Sequence, residues 1–157
     1  MATVSLRRAV PGDKPALLAL ENSCFDTDRL NARQMHYLLH RGKSDIRVVD
    51  MDGVMVAAII SLLPARPRPA RLYSLAVMPS YRNKGLAAML LGEALGVMRQ
   101  QGYQRCRLEV RQSQQAVIRL YTSFGFTPLT TLHSYYQDGE DALRMELNLD
   151  NAGYRGA

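Results

Sequence analysis

The chain has 157 residues, with 20 Lys and Arg against 14 Asp and Glu for a formal charge of +6, and it is 47% apolar and 22% charged. That balance is globular, of a length one domain fills, and no apolar run reaches the roughly eighteen residues a membrane-crossing helix needs. Two cysteines and three histidines without metal-ligand spacing argue against a zinc site or a disulfide framework, so reduced thiols and no metal are expected.

The first ten residues, MATVSLRRAV, hold no continuous apolar core, so no export signal is expected and a cytoplasmic location follows. Residues 3–8 alternate as a first strand. Pro11-Gly12-Asp13 marks a turn in which Asp13 is placed to cap a helix running to about Asn22, and Pro15 is tolerated early in it. A second helix is expected from Asn31 or Ala32 to His40, stopped at Arg41-Gly42, with residues 23–30 as the loop between. Strands over 46–50 and 54–63 are joined by Met51-Asp52-Gly53, where Asp-Gly is a strong hairpin signal. Arg66-Pro67-Arg68-Pro69 interrupts the pattern, which resumes as a strand over 71–78.

Leu86, Leu90, Ala94 and Val97 follow helical spacing up to Gly102. Residues 105–111 then alternate with a period of two, 114–123 are helical, and 126–132 and 142–148 close as strands. The hairpin demands antiparallel pairing and the helices between later strands imply some parallel pairing. The expected fold is therefore α/β: one domain over residues 1–150 with a mixed, mostly antiparallel sheet of six or seven strands and helices on both faces. Residues 151–157 are expected to be a flexible tail.

Between the strand over 71–78 and the next helix lies Arg82-Asn83-Lys84-Gly85-Leu86-Ala87. A strand feeding a glycine turn that opens a helix aims free backbone N–H groups and a positive dipole end at one point, which suits a pyrophosphate. Arg82 and Lys84 add charge beside it; an ordinary basic helix start reads the same way.

Along 105–111, alternation puts Cys106, Leu108 and Val110 on one face and Arg107, Glu109 and Arg111 on the other. A central strand flanked by crossover helices is normally apolar on both faces, so the charged row marks either a working site or an exposed ladder of ion pairs. Val117, Leu120, Tyr121 and Phe124 form an apolar helical stripe that carries one phenol, a core residue or a catalyst. The basic surface favours acidic partners, whether nucleic acid, an anionic cofactor or an acidic protein, and the absence of an aromatic-basic stacking pattern argues against nucleic acid.

Three segments in register carry a resemblance. Leu75-Ala76-Val77 followed by Arg82, Gly85 and Ala87 resembles the acetyl-CoA signature of the Gcn5-related N-acetyltransferase superfamily. Leu108-Glu109-Val110-Arg111-Gln112-Ser113-Gln114, with Ile118, Leu120-Tyr121 and Gly125-Phe126, is similar to its RimI-like protein N-α-acetyltransferases. Tyr135-Tyr136-Gln137-Asp138-Gly139-Glu140-Asp141-Ala142 resembles the closing motif of N-terminal acetyltransferases.

The resemblance implies transfer of acetyl from acetyl-CoA to a primary amine, most simply the N-terminal α-amine of a protein, by a monomer or homodimer. It implies Glu109 as general base and Tyr121 as general acid. Leu75, Ala76 and Val77 would offer backbone groups to pantetheine and the acetyl oxygen, and Arg82, Asn83, Lys84, Gly85, Leu86, Ala87 and Ala88 would hold the pyrophosphate. Where the family carries Asn this chain has Gln114, which keeps the amide and adds a methylene. Glu21, Phe25, Tyr135 and Tyr136 are the implied acceptor-binding residues. A small amine as acceptor, or a coenzyme A-binding module without catalysis, also fits these residues.

Overall fold

The computed structural model describes residues 3–40 and 42–150. Asp52 and Gly53 hold φ of 51° and 83°, the left-handed pair that a two-residue hairpin turn requires. From that turn β2 (Ser44–Met51) and β3 (Val54–Leu62) run antiparallel. β1 (Val4–Arg8) pairs with β2, and β4 (Ala70–Val77) pairs antiparallel with β3. The sheet continues through β5 (Arg105–Arg111), β7 (Ala142–Asn148) and β6 (Thr127–Leu132), giving the order β1-β2-β3-β4-β5-β7-β6. Seven strands in one mixed, mostly antiparallel sheet match the sequence expectation.

Only β4 and β5 run parallel, and they pair at just two positions, Ala70↔Cys106 and Arg71↔Arg107. Beyond Arg71 the two central strands part, although each stays paired with its other neighbour. The sheet thus opens in its middle.

Helices α1 (Lys14–Cys24) and α2 (Ala32–His40) cover one face, while α3 (Leu86–Gln100) and α4 (Gln115–Ser123) cover the other. The alternation of the strands separates two cores: Val49, Ala57 and Ile59 join α3, whereas Val48, Ala58 and Ile60 join α1 and α2. Leu90, Leu91, Leu95 and Met98 of α3 are fully buried, and truncating one such leucine to alanine costs about 2–5 kcal/mol. α3 is therefore a rigid mount for the turn that precedes it.

The two helices on the α1 face start differently. Asn31 Oδ1 accepts from the Gln34 amide at 2.8 Å while Gln34 Oε1 accepts from the Asn31 amide at 2.9 Å, a reciprocal cap that starts α2. Asp13 makes no side-chain cap to α1. Its carboxylate instead accepts from both Arg7 terminal nitrogens at 2.8 and 2.9 Å and from the Val10 amide at 2.7 Å, because the short 3₁₀ turn Pro11–Asp13 turns it toward β1. Arg41 of the expected helix stop and the expected tail over 151–157 lie outside the described residues.

The cover of α1 and α2 ends at β4, since no residue of β5, β6 or β7 enters their apolar cluster. On that side β5 and β7 present Arg105, Arg107, Glu109 and Arg111 beside Arg144 and Glu146, while Cys106, Leu108, Val110, Met145 and Leu147 pack under α3 and α4. The charged row predicted for 105–111 is thus a central strand with one uncovered face.

Candidate active site

Leu75, Ala76 and Val77 occupy the end of β4, bound to β3 on one edge and facing the opening toward β5 on the other. Backbone groups on that second edge have no strand partner, so an extended ligand can bond there as an added strand would. The chain then turns through Asn83 (φ 63°) and Gly85 (φ 79°) into α3. Gly85 has no side chain to cap the helix, and the first helical bond runs from the Met89 amide to the Gly85 carbonyl at 3.1 Å. The amides of Leu86, Ala87 and Ala88 therefore have no acceptor within the helix and fit an anion such as a pyrophosphate.

Lys84 is exposed beside them. Arg82 behaves differently from the expectation of a free flanking cation: its Nε donates to the Val77 carbonyl at 3.0 Å, which the Cys24 thiol also approaches at 3.4 Å. It ties the turn to the end of β4. Gln114 stands exposed at the start of α4 and makes no side-chain cap.

Tyr121 is buried on α4, with its ring 5.6 Å from that of Phe126. Burial, with smaller contributions from Cys106 and Tyr136, pushes its phenol well above the ordinary range. The group holds its proton and serves best as a hydrogen-bond donor.

Glu109 sits on the uncovered face with its side chain 7% exposed. Its two oxygens accept from Arg71 on β4 and from Arg144 Nε on β7, the latter at 2.7 Å. Its flanking arginines look elsewhere: Arg107 Nε donates to Glu146 at 2.6 Å, and Arg111 reaches the loops above. Alternation explains which face these side chains share but cannot reveal partners 38 and 35 residues away in sequence. A carboxylate has about four acceptor positions, so two remain beside the guanidinium pair.

Arg111 holds together two loops distant in sequence. One terminal nitrogen donates to Asp138 at 2.8 Å and Glu140 at 3.0 Å, the other to Thr27 at 2.8 Å and Asp28 at 3.3 Å. Its guanidinium lies 4.1 Å above the ring of Tyr136, which meets Tyr135 edge-on at 5.0 Å. Burial, the largest cause, pushes the Tyr136 phenol up to about 12.

Glu21 is buried at the α1 side of the opening, accepting from the Leu30 amide at 2.9 Å and the Ser74 hydroxyl at 3.1 Å. Burial raises its carboxyl above the usual range. Phe25 ends α1, half-buried against Leu17 and Leu20's cluster. Tyr73, which sequence reasoning passed over, is 49% exposed on β4. Burial raises its phenol first, and the nearby charges of Glu21 and Asp28 and the Tyr135 phenol raise it further. Tyr73, Tyr135, Glu21 and Asp28 are therefore close enough to interact electrostatically on this side of the sheet. A tyrosine two residues before Leu75 was the one available signal. Among the described residues no three His, Cys, Asp or Glu side chains converge as a metal site, and no helix is long and apolar enough to cross a membrane.

Residues 14–126 match the acetyltransferase (GNAT) family. The chain is 38% identical over 87 residues to an N-alpha-acetyltransferase of Saccharolobus solfataricus, covering 55% of this chain and 52% of that protein. It is 41% identical over 81 residues to the ribosomal protein bS18-alanine N-acetyltransferase of Escherichia coli K12, covering 50% and 55%. The chain thus spans about half the length of these curated relatives. The crystal structure of the ribosomal-protein-S18-alanine N-acetyltransferase from Escherichia coli superposes with a TM-score of 0.84 at 29% identity, over 99% of this chain and 98% of that one.

Proposed function

The chain belongs to the acetyltransferase (GNAT) family, and from that premise we propose that it is an N-acetyltransferase moving an acetyl group from acetyl-CoA to the N-terminal α-amine of a polypeptide. The observation that carries this reading is the parting of β4 and β5 after Arg71↔Arg107. One opening then borders the unpaired edge of β4, the free amides of α3, the Glu109 carboxylate and the Tyr121 helix.

Acetyl-CoA supplies an activated acyl carbon as a thioester. The residues 82–88 hold its pyrophosphate, and the backbone at Leu75, Ala76 and Val77 aligns the pantetheine arm and donates to the acetyl oxygen as charge develops there. Glu109 accepts the amine proton, directly or through water, on the acceptor positions its two arginines leave open. The N–C bond forms, the C–S bond breaks, and Tyr121 donates a hydrogen bond to the departing sulfur. Full proton transfer from so weakly acidic a phenol is uphill, so stabilisation of the sulfur is its role.

An α-amine has an unperturbed pKa near 8 and a lysine amine near 10.4, so the former reaches its neutral form at lower cost. Tyr73, Tyr135 and Tyr136 offer hydroxyls to a peptide backbone, and Glu21 and Asp28 attract its amino group. The names of the relatives support the same acceptor. The test is release of coenzyme A thiol with a panel of N-terminal peptides, lysine peptides and small amines. Saturable turnover of N-terminal peptides is expected; turnover confined to one small amine would overturn the acceptor, and none with any amine would overturn the enzyme.

A further inference from the structure

The uncovered face of β5 and β7 carries more than Glu109. Arg105, Arg107, Arg144 and the β4 neighbour Arg71 share it with two carboxylates, Glu109 and Glu146. Each carboxylate is met by two guanidiniums: Glu109 by Arg71 and Arg144, and Glu146 by Arg107 at 2.6 Å and Arg105 at 3.7 Å. Four cations against two anions leave this face positive. Among the described residues Arg107 and Arg144 each spend only Nε on their carboxylate, so both terminal nitrogens of each stay available for a further acceptor.

The direction in which an acceptor chain leaves the opening follows from Arg111. Its bonds to Thr27, Asp28, Asp138 and Glu140 join the two loops across the C-terminal end of β5. Neither α1 nor α2 extends over β5 or β7, so the unobstructed path runs the other way, along β5 from Glu109 toward Arg105. Four residues of strand span about 13 Å, the length of four extended acceptor residues. Arg107 pairs with Glu146 and Glu109 with Arg144 across the strands, which makes Arg107 and Arg144 diagonal neighbours about 7–8 Å apart. Alternate side chains of an extended peptide are separated by about 7 Å.

We infer that this face of β4, β5 and β7 is an acceptor subsite that selects polypeptides with Asp or Glu a few residues behind the reacting N-terminus, their carboxylates seated on the open nitrogens of Arg107 and Arg144. The inference rests on the polypeptide-acceptor reading above and adds to it which polypeptides are preferred. The acidic opening around Glu21 and Asp28 takes the amine, and the basic strip behind it takes the following residues.

Full-length protein and acetyl-CoA are assayed with decapeptides that share the two N-terminal residues turned over best and differ only at positions 3–5, as acidic, neutral or lysine-rich sequences. N-acetylated versions, which cannot react, are measured for binding by fluorescence anisotropy. At low ionic strength kcat/KM is expected to be about tenfold higher for the acidic than for the lysine-rich peptide, carried by KM and shrinking with added salt. Replacing Arg105 and Arg107 together by glutamine is expected to shrink the preference, Arg144 remaining as the second seat, and to leave kcat on the shared dipeptide unchanged. Adding Glu146→Gln gives the same result in a variant with no unpaired carboxylate left on the strip.

Equal kcat/KM for acidic and lysine-rich peptides, a preference undiminished in both variants, or tighter binding of a single-stranded RNA decamer than of the acidic peptide would overturn the inference. Blocked acidic peptides that bind preferentially while their free forms go unacetylated would uphold the subsite and overturn the acceptor reading. Acetylation without charge preference would do the reverse, and neither binding nor acetylation would overturn both.

Discussion

At the proposed donor end of the opening, the groups aimed at a ligand are backbone: the unpaired edge of β4 and the amides of Leu86, Ala87 and Ala88. At the acceptor end they are side chains, and one of them, Arg111, joins Thr27 and Asp28 to Asp138 and Glu140. Backbone donors are fixed by the strand and helix that carry them, and α3 is anchored by four fully buried side chains. A side-chain network tolerates substitution one residue at a time. On the proposed reading the donor site is insensitive to most side-chain changes and the acceptor site tunable.

Glu109 lies where the two ends meet, and its removal should have the largest effect. Glu109→Gln is expected to lower kcat by about 10²-fold or more while KM for acetyl-CoA stays within about twofold, because a positioned base contributes roughly 10²–10⁴-fold. Steady-state rates with a saturating N-terminal peptide decide it; an unchanged kcat would assign Glu109 to holding Arg71 and Arg144. Gly85→Val probes the donor end alone. A β-branched residue at φ 79° is strained, and the distorted turn should raise KM for acetyl-CoA roughly tenfold. If KM for the peptide rose equally, the two ends would not be separable.

How much was legible in the sequence follows the same division. The turn at 82–87, the hairpin at Asp52-Gly53 and the alternation of 105–111 are local patterns, and each element formed within two residues of its expected bounds. The fold was readable for that reason. Alternation put Arg107 and Arg111 on the face of Glu109, yet the carboxylate is held by Arg71 and Arg144, from strands that only the sheet order brings together. Asp13 was misread as a helix cap because its partner Arg7 lies on β1, outside the turn that local reasoning considers. Tyr73 drew no reading from the sequence, because its exposure follows from the end of α1 cover at β4.

Arg111→Ala tests whether the acceptor side acts as a unit. Loss of the guanidinium removes the shared partner of Asp28, Asp138 and Glu140, leaves the Asp28–Gln137 bonds at 3.3 Å between the loops, and uncovers Tyr136. KM for peptides should rise about five- to tenfold, as expected when several partly exposed charge-assisted bonds are lost together, with KM for acetyl-CoA unchanged. Hydrogen exchange at residues 24–30 and 134–140 should quicken in parallel. Faster exchange in one loop only would show that the loops are independent and that Arg111 belongs to just one of them.

Glu21 gives the smallest effect and separates packing from binding. Burial raises its carboxyl above the ordinary 4.5, against the opposing pull of the Leu30 and Ser74 hydrogen bonds and the Arg29 charge. A carboxyl raised in the folded state binds its proton more tightly there than in the unfolded chain. Its contribution to stability therefore falls as pH rises from 4.5 through the raised value and is level above it. Glu21→Gln removes that titration and keeps both bonds, its oxygen accepting from the Leu30 amide and its nitrogen donating to the Ser74 hydroxyl. The melting temperature of the variant should gain on the parent between pH 4.5 and pH 7, measured by calorimetry. If Glu21 also meets the acceptor amine, KM for N-terminal peptides should rise about threefold in the same variant, in line with one partly screened charge contact. A gain in stability with an unchanged KM would place Glu21 in the packing of α1 and leave amine attraction to Asp28 and Glu109.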